Sequence, residues 1–251
     1  MQKISKGNFR IVIPARWKSS RFPGKPLALI LGKTLIERVY DACCKTVISK
    51  KVVVATDSLK IKKFCIKKKI NFVMTSKKCL TGTDRIIEVA KKTNSKIFIN
   101  VQGDEPLIDP RELKKFIINA LKNPKNIYIA KCNINKTGYF NKNLPKIVTD
   151  KNNNLLYISR ANIPSNKMHK FEKAYGQVNI YSYPRKILMK KKIKNNKYFN
   201  EKIEDIEILR FLERGYKIKV ILMKKSTQPV DVKNDLVKVR KILLKKQTAI
   251  L

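Results

Sequence analysis

The chain of 251 residues carries a single histidine, His169, which leaves the commonest general base available at only one position. A Ser-His-Asp or Cys-His hydrolase would have to turn entirely on that ring, so hydrolases of this kind are set aside. The five cysteines, Cys43, Cys44, Cys65, Cys79 and Cys132, are odd in number and form no C-x-x-C pair. Neither a disulfide framework nor a zinc site is indicated, and buried thiols are expected. No stretch approaches the roughly 18 uninterrupted apolar residues of a membrane span. The opening M-Q-K-I-S-K-G-N also lacks the apolar middle of a signal peptide, so a cytoplasmic location is expected. Carboxylates are scarce as well: 18 Asp and Glu stand against 58 Lys and Arg, which makes each acidic placement informative.

What is present can build one substantial core, since 43% of the residues are hydrophobic and no disulfide staple is needed at this length. The net charge of +40 suggests nucleic acid at first sight. The lysines, however, run through every segment together with abundant Asn and Ile, as at Lys60, Lys62 and Lys63, at Lys67 to Lys69 and at Lys190 to Lys192. That distribution fits an AT-rich coding bias acting on solvent positions. No RGG tract, zinc-finger spacing or aromatic RNP-like strand accompanies the charge, so no specific nucleic-acid partner is expected. Attraction of small anionic substrates is a by-product of such a surface.

Two segments carry chemistry. Residues Ile11 to Leu27 read I-V-I-P-A-R-W-K-S-S-R-F-P-G-K-P-L, a β-branched run followed at once by a loop with Arg16, Lys18, Arg21 and Lys25 among three prolines and a glycine. Ile11 to Ile13 suit a strand covered on both faces; Pro14, Pro23, Gly24 and Pro26 stop it, forbid an immediate helix and stiffen the loop. Cations on such a frame can surround a polyphosphate, although a merely solvated basic loop has the same composition. The second segment, N-V-Q-G-D-E-P at Asn100 to Pro106, ends the apolar run Ile97 to Val101 and presents Asp104 and Glu105 beyond a turn at Gly103. Magnesium is commonly held by one or two carboxylates plus substrate phosphates, so an Asp beside a phosphate loop suffices chemically; an ordinary acidic turn is the alternative.

Apolar β-rich runs alternate with helical patterns through the first half. Strands are expected at Phe9 to Ile13, Lys51 to Ala55, Asn71 to Met74, Lys96 to Val101 and Ile127 to Cys132. Between them Thr34 to Val47, Ser58 to Lys68, Thr83 to Lys92 and Pro110 to Leu121 show helical spacing. This alternation implies crossover units, an α/β fold and a largely parallel sheet, with ligands outside the carboxyl ends of its strands. Lys131 to Lys173 has a different texture, with Asn and Lys clusters and short strand-like pieces at Lys146 to Thr149 and Leu155 to Ile158. It reads as an excursion, roughly residues 133–173, from a single domain spanning 1–251. Beyond it come a strand at Gln177 to Tyr183, a helix from Asn200 to Arg214 ended by Gly215, a strand at Lys217 to Met223 and a last helix at Lys233 to Lys246.

Four of the scarce carboxylates crowd into Glu201, Glu204, Asp205 and Glu207. Charge balance and the helix dipole explain part of this. Glu204 and Glu207 would share a helix face with Phe211 and could point into a polar cavity where hydroxyls need acceptors. Asp231, before the last helix, reads as an N-cap-like turn residue, with a second metal carboxylate as the alternative.

Taken together, P-A-R-x-x-S-x-R-x-P-G-K-P-L at Pro14 to Leu27, A-T-D at Ala55 to Asp57, T-G-T-D-R at Thr81 to Arg85, N-V-Q-G-D-E-P at Asn100 to Pro106, S-R-A at Ser159 to Ala161 and V-D-V at Val230 to Val232 resemble the 3-deoxy-manno-octulosonate (Kdo) cytidylyltransferase family. The resemblance implies a three-layer α/β/α fold with a mostly parallel mixed sheet, like that of nucleotide-diphospho-sugar transferases, and an inserted lobe that pairs subunits into a homodimer. It implies that Arg16, Arg21 and Lys25 grip the triphosphate of CTP. Pro14, Ala15, Thr56, Asp57, Thr81, Gly82, Thr83, Arg85 and Gln102 would complete the nucleotide pocket, and Asp104 with Asp231 would hold Mg2+. Arg160 would meet the carboxylate of a 3-deoxy-ulosonic acid, with Gln177, Tyr181, Glu204 and Glu207 around its hydroxyls. Arg16, Lys25 and Asp104 would be the catalytic set for making a CMP-sugar and pyrophosphate in lipopolysaccharide assembly.

Two positions depart from that family's usual pattern. Gln177 stands where a histidine is usual, two residues before Asn179 in place of glycine, and Ile208 follows Glu207 where a glutamine is usual. Changes on the sugar side alter which hydroxyl or amino group can be satisfied. The 8-amino-8-deoxy analogue of Kdo is accordingly a second candidate substrate.

Overall fold

The computed structural model describes residues 2–18, 21–193, 197–224 and 228–248. Ser19 of the first motif lies outside them. In chain order the elements are β1 (Phe9–Ala15), a 3-10 turn (Lys25–Leu27), the short hairpin β2 (Leu29–Ile30) and β3 (Lys33–Thr34), α1 (Leu35–Thr46), β4 (Val52–Thr56), α2 (Leu59–Lys67), β5 (Phe72–Met74), α3 (Gly82–Lys92), β6 (Ile97–Val101), α4 (Pro110–Lys122) and β7 (Ile127–Ile134). They continue with α5 (Lys136–Phe140), β8 (Lys146–Thr149), β9 (Leu155–Ser159), β10 (Ala174–Pro184), α6 (Arg185–Leu188), α7 (Phe199–Glu204), α8 (Leu209–Leu212), β11 (Ile218–Met223) and α9 (Lys233–Thr248).

The main sheet runs β11-β7-β10-β6-β1-β4-β5. Its pairs are parallel except those of β10, which is antiparallel to both β6 and β7. Covered on both faces, β1 and β4 read as continuous apolar runs instead of alternating ones. Ile11 and Ile13 pack with Ile36, Val39, Leu113 and Phe116 of α1 and α4, whereas Val12 faces Ile86 and Val89 of α3. The α/β fold is thus three-layered, and a charge at Ile13 would forfeit about 1.5–3 kcal/mol of burial before any desolvation cost.

The excursion after β7 is rooted in this sheet. β7 itself continues to Ile134, and β8 pairs with β10 through Tyr175 and Ile147 while β9 pairs with β8. The expected strand at Gln177 starts earlier, at Ala174. Because β10 runs backwards, its first half lies at the edge where β1, β4 and β6 end, with Ile180 opposite Val101.

The helix expected over Asn200 to Arg214 is broken. Asp205 takes the left-handed conformation, φ 51° and ψ 47°, between α7 and α8. Asp is among the few residues that visit this region with little strain. Glu204 is hydrogen-bonded to Ser159 on one side and Glu207 to Gly82 on the other. One straight helix would hold both on a single face, so bonds outside the segment replace those lost at the break.

Candidate active site

The loop after β1 is folded back on itself. Gly24, at φ 72°, donates its N–H to the Trp17 carbonyl (3.0 Å). A Cβ on Gly24 would stand 3.1 Å from the indole ring. Both the positive φ and the close approach call for glycine. The chain then enters the 3-10 turn with Lys25 at its start, and the Lys25 ammonium donates to Asp104 Oδ2 (2.8 Å) and the Val230 carbonyl (2.7 Å). It also lies 3.7 Å from Asp231 Oδ1, which Arg21 Nη2 reaches at 3.2 Å. Asp104 is brought there by Gly103, where a Cβ would stand 2.7 Å from the Pro14 carbonyl. The turn expected from the sequence forms there, with the Glu105 N–H donating to the Gln102 carbonyl (3.3 Å), but Gly103 is not at positive φ, so it is the close approach of the two loops that calls for glycine.

These groups open on one cavity of about 740 Å³, lined among others by Pro14, Ala15, Arg16, Arg21, Lys25, Gln102, Asp104 and Asp231. Asp231 is not a helix cap: Asp235 accepts the Asp231 and Val232 N–H groups, leaving the Asp231 carboxylate to the cations. Among the described residues no cluster of three or more His, Cys, Asp or Glu could hold a metal. Two carboxylates bridged by one ammonium do suit a magnesium ion that completes its shell with phosphate and water.

The T-G-T-D-R segment forms the start of α3. Thr81 caps it, accepting the Asp84 N–H, while Asp84 Oδ2 accepts from Leu80 N, Thr81 N and the Thr81 hydroxyl. Thr81, Gly82 and Arg85 line the cavity. Three expected members do not. Thr56 is fully buried with its hydroxyl accepting from Ser58 N, and Asp57 pairs with Arg85 (3.1 Å), whose other nitrogen donates to Thr75. Thr83 is also buried and donates to Glu207 (2.6 Å). Asp57 and Thr83 reach the cavity only through Arg85 and Glu207, which line it.

Arg160, Gln177, Tyr181, Glu204 and Glu207 line the same cavity. Their polar groups are largely committed within the protein. Glu207 accepts from Gly82 N (2.9 Å), Thr83 N (2.7 Å) and the Thr83 hydroxyl, so it sits on the amino end of α3, where a carboxylate is favoured. Glu204 accepts from Ser159 Oγ (2.5 Å) and Arg160 N (2.9 Å), and Arg160 Nε donates to the Glu204 carbonyl (2.7 Å). Gln177 donates to the Tyr181 hydroxyl, whose titration burial pushes far above the ordinary tyrosine range. Asn179 of β10 donates to Glu105 (2.6 Å), turning that second acid of the motif inward. Ile208 is buried in the core and does not line the cavity.

Sequence reasoning missed Lys142, Asn143, Lys197 and Ile203, which line the cavity together with Asp205 of the acidic cluster. Lys197 pairs with Asp205 (2.6 Å), and its hydrogen bond, outweighing burial, holds the Asp205 carboxyl below the ordinary range with help from the Lys197, Arg160 and Arg16 charges. Isolated lysines in a lysine-rich chain carry no signal that would have singled them out.

A cavity that joins fixed cations, two carboxylates and the carboxyl ends of a nucleotide-type sheet is that of a nucleotidyltransferase. Residues 10–220 match the family model described as Cytidylyltransferase, and the chain belongs to that family. It is 36% identical over 247 residues to the 3-deoxy-manno-octulosonate cytidylyltransferase of Protochlamydia amoebophila, covering 94% of this chain and 95% of the relative. It is also 36% identical over 236 residues to the 8-amino-3,8-dideoxy-manno-octulosonate cytidylyltransferase of Shewanella pealeana, covering 91% and 96%. Among solved structures, CMP:2-keto-3-deoxy-manno-octonic acid synthetase complexed with CTP superposes with a TM-score of 0.86 at 31% identity, covering 96% of this chain and 100% of that one.

Proposed function

We propose that this chain transfers the cytidylyl group of CTP to a 3-deoxy-ulosonic acid, Kdo or its 8-amino analogue, giving a CMP-sugar and pyrophosphate for lipopolysaccharide assembly. The observation that carries this reading is the chain of ion pairs, Lys25–Asp104 at 2.8 Å, Lys25–Asp231 at 3.7 Å and Arg21–Asp231 at 3.2 Å, on the cavity that Arg160, Gln177 and Tyr181 also line. The anomeric 2-hydroxyl of the sugar attacks the α-phosphorus and gives up its proton to water, a P–O bond forms, and the bond to the bridging oxygen breaks as pyrophosphate leaves. Such a step asks for alignment and charge neutralisation more than for a covalent nucleophile. That demand suits a site of guanidinium, ammonium and carboxylate groups.

Arg16, Arg21 and Lys25 bind the triphosphate and stabilise charge growing on the leaving oxygens. Asp104 and Asp231 would hold magnesium, which supplies further neutralisation of the phosphates when bound. In nucleotide binding, Lys25 exchanges carboxylate contacts for phosphate. Gln102 and the start of α3 border the nucleoside; Arg160, Gln177 and Tyr181 border the sugar acid. The β8–β9 hairpin and the chain around it would supply the pairing surface of a homodimer in the cytoplasm.

Pyrophosphate release with CTP, Mg2+ and a panel of ulosonic acids tests the reading, and no release with any member would overturn it. Between the two sugars, Gln177 at the cavity wall favours a test of the 8-amino form. A clear preference for Kdo in direct competition would dispose of that second substrate.

A further inference from the structure

The turn at residues 80–85 and the segment at residues 201–207, which meet directly through Glu207, are tied a second time by a residue outside the cavity lining. Arg210, in α8, is fully buried. It donates to Asp84 Oδ1 (2.7 Å) and the Ile193 carbonyl through Nη1, to Glu201 Oε1 (2.7 Å) and Thr81 Oγ1 (3.3 Å) through Nη2, and to Glu201 Oε2 (2.9 Å) through Nε. The five N–H groups of a guanidinium are thereby all used. Asp84, held by one oxygen, shapes the Leu80–Thr81 turn with the other. Glu201 opens the same broken segment that carries Glu204 to Arg160 and Glu207 to the amino end of α3. A buried cation between two buried carboxylates is costly to disturb, because removing one member strands the others without solvent.

We propose that Arg210 is a positioning residue which locks the nucleotide-side turn at residues 80–85 and the sugar-side segment at residues 201–207 into one unit, so that loosening it degrades both half-sites together. This rests on the cytidylyltransferase reading of the cavity, in which those segments border different substrates. A residue with purely local packing value would lower stability alone. A residue bordering one substrate would weaken that substrate alone. The guanidinium fork reaches both segments and does not line the cavity, so its loss is expected to act on both half-sites.

The test compares Arg210→Lys, which keeps the charge but not the planar fork, with Leu113→Ala, a core change on the opposite face of the sheet. Two measurements are made on the full-length proteins at a temperature where circular dichroism shows both folded. In hydrogen exchange, peptides covering 80–85 and 201–207 should both exchange about tenfold faster in Arg210→Lys than in Leu113→Ala, as expected for a local loss of roughly 1.4 kcal/mol. In steady-state pyrophosphate release, KM for CTP and KM for the sugar acid should rise together, by about tenfold each at that loss, with a smaller change in kcat. Acceleration confined to one segment, or a KM change for one substrate only or for neither, overturns the proposal. If wild-type enzyme releases no pyrophosphate, the functional reading falls while the exchange data still decide the coupling. Should Arg210→Lys fail to fold, Glu201→Gln carries the same paired measurements, since it weakens the link from the other end.

Discussion

The two walls of the cavity are built on opposite economies of contact. On the Lys25 side the loops after β1 and β6 meet at backbone distance and bring that ammonium between Asp104 and Asp231. On the Arg160 side Glu204, Glu207 and Arg160 already have backbone partners, and their carboxyl and guanidinium groups hold chain segments in place. The first is a cluster of charges paired with one another; the second is a frame of charges bonded to the main chain. This difference teaches that a charged side chain lining a pocket need not be available to what the pocket binds.

The sharpest way to break the comparison is at the Lys25 side. Asp104→Ala should cost on the order of a thousandfold in kcat with circular dichroism unchanged, because it removes charge organisation at the reacting phosphates. Normal turnover in a stopped pyrophosphate assay would remove Asp104 from the metal assignment. Gly103→Ala comes next: its new methyl must push the Pro14 carbonyl away from 2.7 Å. Displacing the two loops should lower kcat/KM by about a hundredfold, the scale of a roughly 1 Å misplacement. A retained kcat/KM would mean the loops tolerate separation.

At the framing wall smaller effects are expected. Gln177→His replaces the partner of the Tyr181 hydroxyl and should change the ratio of kcat/KM for Kdo and its 8-amino analogue by about tenfold, with CTP binding unmoved. An unchanged ratio would take Gln177 out of sugar selection. The smallest effect lies outside both walls. Cys65→Ser should leave turnover within about twofold, since the thiol is core packing. Burial lifts this thiol from 9.0 to about 11. The folded state therefore holds its proton where the unfolded state has released it, so stability present below pH 9.0 declines as pH rises toward 11. Thermal melts across that window should show a shallower decline in Cys65→Ser, and parallel curves would exclude the thiol as a contributor.

Much of this was legible in the sequence, for physical reasons that differ by region. Strands buried on both faces announce themselves as β-branched runs, so β1, β4 and β6 fell where Ile11 to Ile13, Val52 to Val54 and Ile97 to Val101 put them. The fixed offsets of Pro, Gly and cation in the first loop likewise pointed to the cavity, which Arg16, Arg21 and Lys25 line. The break at Asp205 was not legible, because Glu201 to Leu212 satisfies helical spacing and the bonds that pull it apart come from Ser159, Gly82 and Thr83, far away in the chain. The same holds for Thr56 and Asp57: their place at a strand end locates them near the cavity, but only the fold reveals that Thr56 is buried and that Asp57 is paired with Arg85. Lys142 and Lys197 were hidden by numbers, two cations among 58.

The folded-back first loop has a practical consequence. Its floor, Trp17, is the only indole in the chain, and it lies under Gly24, one residue from the ammonium that nucleotide would engage. Intrinsic emission excited at the indole therefore reports on this one loop without any introduced dye. A titration with CTP would be read by the protein's own lamp, placed beside Gly24 and the Lys25 turn.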